Sequence, residues 1–108
     1  MEKGPYHVKM DIVLDGIVAV IRGVREPEKI VIFGSRASGH ARKASDIDIA
    51  IYGKDWTDAD TGKARLLLEE KVITPLKFDL VGFYSVKNPR LKNNIETKGR
   101  VLYESGTD

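Results

Sequence analysis

Asp46 and Asp48 stand two residues apart, ten residues behind a glycine–serine pair, Gly34-Ser35, and a third acid, Asp79, follows in the apolar segment Phe78-Asp79-Leu80-Val81. Side chains two apart on a strand project to the same face. Two carboxylates that close repel unless a cation or a shared proton compensates. Hard oxygen ligands suit Mg²⁺, which takes one or two carboxylates together with substrate phosphates and water. If the strand carrying Asp79 lies beside the one carrying Asp48, the three acids could hold two ions about 3.5–4 Å apart. Glycine at 34 lets the backbone approach a phosphate, and the following N–H groups and the Ser35 hydroxyl can bind its oxygens. Arg36 adds a fork-shaped donor for a triphosphate. Ser45, just ahead of the acids, joins these as a candidate nucleotide contact. The chemistry such a set supports is nucleotidyl transfer, with Asp79 nearest the nucleophile and able to assist its deprotonation.

Each residue also has a plainer reading. An Asp-x-Asp pair can be a solvated strand end or a turn cap, and Gly34 can simply close a strand-to-helix turn. Asp79 can be an edge-strand acid facing water, and Arg42 and Lys43 read as surface charges. The joint occurrence, in this order and spacing, favours the site. Competing phosphate loops fail on the same residues. A P-loop needs Lys then Ser or Thr after Gly39, where His40 and Ala41 stand, and a dinucleotide fingerprint needs glycine at Arg36. His7 and His40 lack the spacing of a zinc site.

The elements that must position these residues are legible from periodicity. Met10, Val13, Leu14, Ile17, Ile21 and Val24 recur at spacings of three and four, an amphipathic helix that Pro27 ends. Lys29-Ile30-Val31-Ile32-Phe33 is a buried strand stopping at glycine. Residues 34–45 form a turn and loop, with room for one helical turn after Gly34. Residues 46–51 alternate strictly, which places Ile47, Ile49 and Ile51 on the core face and the acids on the face away from it. Thr57 and Asp60 form a capping box for a helix with Ala64, Leu67 and Leu68 inward, closed by Pro75. Residues 76–81 make a third strand. Asn88, Pro89 and Gly99 bracket another helix with Leu91 and Ile95 as its buried stripe. Residues 101–103 make a last strand, and Trp56 and Tyr103 read as packing residues.

A chain of 108 residues with 42% apolar and 31% charged residues reads as one globular domain over 1–108. Folding at this size buries roughly two-thirds of the chain's surface, enough for one core. The net charge of +2 agrees with a polyanionic ligand such as a nucleotide but does not indicate DNA or RNA binding. With no cysteine there is no disulfide framework or thiolate metal site. No apolar run is long enough for a membrane span or resembles a signal peptide, so the cytoplasm is the expected location.

The string Phe33-Gly34-Ser35-Arg36-Ala37-Ser38-Gly39 with Ser45-Asp46-Ile47-Asp48-Ile49-Ala50 resembles the signature of the DNA polymerase beta-like nucleotidyltransferases, and within them the minimal nucleotidyltransferases. The leading helix, the Asp79 strand and the closing segment from Ile95 through Gly99 to Glu104 match that family's layout. Ser38 stands where the family commonly has arginine. The resemblance implies an α+β fold, a mixed four-stranded sheet flanked by helices, with Asp46, Asp48 and Asp79 as ligands for Mg²⁺ and ATP as substrate. It also implies a HEPN-domain partner in a two-component toxin–antitoxin module, where AMP moves from ATP to a tyrosine of the partner. Two other functions stay open: an antitoxin that masks its partner without catalysis, and a small-molecule nucleotidyltransferase. Homo- and hetero-oligomers are both compatible with the chain.

Overall fold

The computed structural model of the chain describes residues 4–34, 46–74 and 77–106, with side chains from residue 10 onward. Three α-helices and four strands stand among the described residues: α1 (Gly4–Val24), β1 (Lys29–Phe33), β2 (Ile47–Tyr52), α2 (Asp58–Lys71), β3 (Phe78–Gly82), α3 (Pro89–Lys98) and β4 (Arg100–Glu104). A 3₁₀ turn, Phe83–Ser85, follows β3 directly. The strands form one sheet in the order β3-β2-β1-β4. β1 runs antiparallel to both β2 and β4, whereas β2 and β3 are parallel. A parallel pair needs a crossover, and α2 supplies it. The mixed sheet with helices is the α+β fold the sequence implies.

Local chemistry explains where the elements begin and end. Thr57 Oγ1 accepts from the Asp60 N–H at 3.1 Å while Asp60 Oδ2 accepts from the Thr57 N–H at 2.9 Å, the reciprocal cap read from sequence. Asn88 Oδ1 accepts from the N–H groups of Arg90 and Leu91 at 2.9 and 3.3 Å, with Pro89 at the first helical position. Gly99 is demanded by crowding, since a Cβ there would lie 2.4 Å from both the Ile95 carbonyl oxygen and Val31 Cγ1. The chain can turn directly from α3 into β4 at that point. α1 stops at Val24, ahead of Pro27, which is itself fully buried.

The sheet divides the interior in two. On one face Ile30, Ile32, Ile47, Ile49, Ile51 and Leu80 pack with Val13, Ile17 and Ile21 of α1 and Ala64 and Leu68 of α2. On the other, Val31, Phe33, Ala50 and Tyr52 pack with Phe83 and with Ile95 of α3. This corrects two expectations. There are two clusters rather than one core, and the face carrying Asp48 is not turned wholly away from the interior, because Ala50 and Tyr52 further along it are buried under Phe83 and α3. Strict alternation in β2 shows which residues share a face, but not what covers the second face. Smaller shifts follow from hydrogen bonding. β2 spans 47–52, β3 spans 78–82 and β4 spans 100–104. Leu67 is half-buried, Ala64 and Leu68 being the inward pair on α2. Pro75, Leu76 and the loop after Gly34 through Ser45 lie outside the described residues. No described helix is long and apolar enough to cross a membrane.

Candidate functional site

The acids meet at one end of the sheet, where β1 ends and β2 and β3 begin. Asp48, the second residue of β2, is the register partner of Asp79, the second residue of β3. Partners in a parallel pair share a face, so both carboxylates leave the sheet on the same side. On its other flank Asp48 is paired with Phe33, the last residue of β1. Gly34 follows at once with φ +74°. Asp46 is exposed and immediately precedes β2.

Burial differs among the three acids. Asp48 is half-buried, whereas Asp46 and Asp79 are exposed. Burial raises the Asp48 carboxyl above the ordinary aspartate range, and the charges of Asp79 and then Asp46 push it further in the same direction. Both neighbours therefore act on Asp48 electrostatically. The three side chains nevertheless do not close into a cage: among the described residues, no group of three or more His, Cys, Asp or Glu converges as a metal site. β3 is an edge strand and Asp79 is solvated, so its charge carries little burial cost. Ser35, Arg36 and Ser45 lie outside the described residues, as do Arg42 and Lys43.

A cleft of about 480 Å³ lies along the free edge of β3, between α2 and the start of α3. Arg65, Leu80, Gly82, Lys87 and Leu91 line it, and the acids do not. Arg65 Nη2 donates to the Leu80 carbonyl oxygen at 3.3 Å, covering part of the open strand edge. No motif flagged Arg65, whose place at this edge depends on the crossover. Trp56 and Tyr103 pack as expected. Trp56 is buried with Nε1 donating to Thr61 Oγ1 at 2.8 Å, and Tyr103 lies under the Arg22 guanidinium at 4.4 Å with its hydroxyl on Glu26.

A four-stranded mixed sheet that brings a glycine turn and two aspartates to one end defines a nucleotidyltransferase fold. The chain belongs to the polymerase beta nucleotidyltransferase family, whose model matches residues 15–108. Among solved structures it is similar to a toxin–antitoxin crystallised with AMP-PNP, at 24% identity and TM-score 0.72, over 86% of this chain and 74% of that one. It is likewise similar to a variant of the MntA–HpeT toxin–antitoxin in which two aspartates two residues apart are changed to glutamate, at 22% identity and TM-score 0.70, again over 86% and 74%. A protein assigned to the minimal nucleotidyltransferases matches at 22% identity and TM-score 0.67, over 84% of this chain and 90% of that one. No curated protein sequence matches the chain.

Proposed function

We propose that this chain is an Mg²⁺-dependent nucleotidyltransferase that moves AMP from ATP onto a protein partner, a HEPN-domain toxin, and acts as its antitoxin. The observation that carries the reading is the register pairing of Asp48 with Asp79 beside the Gly34 turn. The donor set fits a divalent cation. Among the described residues no cation pairs with Asp48 or Asp79, and burial together with the charges of Asp79 and Asp46 disfavours the Asp48 carboxylate, a penalty that a bound cation would offset. Mg²⁺ retains waters and takes one or two carboxylates plus phosphates, which Asp48 and its register partner Asp79 can supply. When bound, such ions, two by expectation, neutralise phosphate charge and lower the pKa of a coordinated hydroxyl.

In this reading Asp46 and Asp48 hold the cation, and Gly34, Ser35, Arg36 and Ser45 bind the triphosphate. Asp79, on the solvated edge strand, holds a cation jointly with them and faces the acceptor. The acceptor oxygen bonds to the α-phosphorus as the bond to pyrophosphate breaks, and the acceptor's proton passes to the Asp79 carboxylate. The neighbour crystallised with AMP-PNP supports the nucleotide, and the toxin–antitoxin neighbours support a toxin as partner. ATP labelled at the α-phosphate should transfer label to the product of the adjacent gene, and ATP labelled at the γ-phosphate should not. No transfer from either, or transfer from γ alone, would refute the proposal.

A second reading, left open by the sequence, is an antitoxin that masks its partner without catalysis. An Asp46→Ala/Asp48→Ala variant separates the two, since masking survives it and transfer does not.

A further inference from the structure

The junction of β1 and β2 contains a contact that phosphate binding does not explain. A Cβ built on Gly34 would sit 2.4 Å from Asp48 Oδ2, 3.4 Å from Cγ and 3.7 Å from Cβ. The first distance is an overlap that the Asp48 carboxylate would have to move to relieve. The pairing of Phe33 with Asp48 brings Gly34 alongside Asp48 through the sheet register. Gly106 provides the comparison: its φ of +73° is nearly that of Gly34, yet nothing lies within 4 Å of its missing side chain. One glycine meets a backbone requirement alone, and the other meets that requirement and clears space for a carboxylate.

We infer that Gly34 is a positioning residue for Asp48, its missing side chain forming the slot that fixes the orientation of the Asp48 carboxylate. In its functional half this rests on the proposed role of Asp48 in holding the cation. A methyl group at 34 would drive the carboxylate into another rotamer or displace the strand. Metal sites tolerate displacements of only about 0.5 Å in their ligands. Gly34 therefore controls divalent-cation affinity before any nucleotide arrives, which a pure phosphate contact would not do.

The test combines a thermal cycle with metal binding. Melting of the wild type, Gly34→Ala, Asp48→Ala, the double variant and Gly106→Ala is followed in EDTA. Gly34→Ala is expected to lower Tm well beyond Gly106→Ala, and most of that loss should vanish when Asp48→Ala removes the carboxylate. A Gly34→Ala protein that fails to fold while the double variant folds gives the same support. Mn²⁺ binding without nucleotide, read by electron paramagnetic resonance, should weaken about tenfold or more in Gly34→Ala and stay unchanged in Gly106→Ala. An equal loss from Gly34→Ala with and without the Asp48 carboxylate, including failure to fold in both, overturns the slot. Unchanged Mn²⁺ affinity in a folded Gly34→Ala overturns its link to the cation. A wild type that binds no Mn²⁺ overturns the cation role of Asp48 itself, and the thermal cycle then judges the slot alone.

Discussion

The two ends of β2 carry opposite kinds of interaction on the same face of the sheet. At the far end Tyr52 stacks on Phe83 with centroids 4.1 Å apart, and Tyr84 meets both rings edge-on. The Lys29 ammonium lies 4.5 Å from the Tyr52 ring and Lys92 lies 5.3 Å from that of Phe83. Glu28 accepts from the Tyr84 hydroxyl at 2.9 Å and from the Lys54 N–H at 3.0 Å. Cations lie against aromatic faces there, and the Glu28 carboxylate is hydrogen-bonded. At the near end, four residues away, Asp48 is half-buried against two like charges, with no pairing cation among the described residues. Aromatic packing anchors the far end, whereas the near end holds a half-buried carboxylate beside two like charges. That is the pattern expected where a fold carries a functional site.

Substitutions at the two ends should separate activity from stability. The largest effect is expected from Asp79→Asn, which should lower AMP transfer about 100-fold or more while leaving partner binding and Tm unchanged. Normal turnover would remove Asp79 from the site. Phe83→Ala, at the other end, should cost about 3–5 kcal/mol in denaturant unfolding, because the ring is buried against Tyr52. Thr57→Ala, away from both ends, should cost about 1 kcal/mol through loss of the α2 cap.

The smallest effect has the opposite sign. The folded Asp48 carboxyl titrates above its unfolded value of about 3.9. Its protonated form therefore stabilises the fold below that value, and the benefit is lost as pH rises through the folded value. Asp48→Asn should accordingly raise the Tm of the metal-free protein at neutral pH, and the gain should shrink in acid. A fall in Tm at neutral pH would break the contrast between the two ends.

Much of this arrangement was legible because it rests on local rules. The run from Lys29 to Phe33, the Thr57/Asp60 box and the Asn88-Pro89 start each specify their element through neighbours a few residues away. The alternation of Ile47, Ile49 and Ile51 placed Asp48 on the opposite face. What sequence could not supply was long-range. The burial of Ala50 and Tyr52 depends on α3 folding back over the sheet, and the solvation of Asp79 depends on β3 taking an edge. The contact of Gly34 with Asp48 depends on the β1–β2 register. The spacing of Asp46 and Asp48 was legible, but the pairing of Asp48 with Asp79 depends on the β2–β3 register.

The most direct test is the intact mass of the partner protein after incubation with this chain, ATP and Mg²⁺. The account predicts a partner heavier by one AMP unit or a small whole number of them, and unchanged when Asp48→Asn replaces the wild type. A partner left unmodified by the wild type, yet fully neutralised by an Asp46→Ala/Asp48→Ala variant, would contradict it.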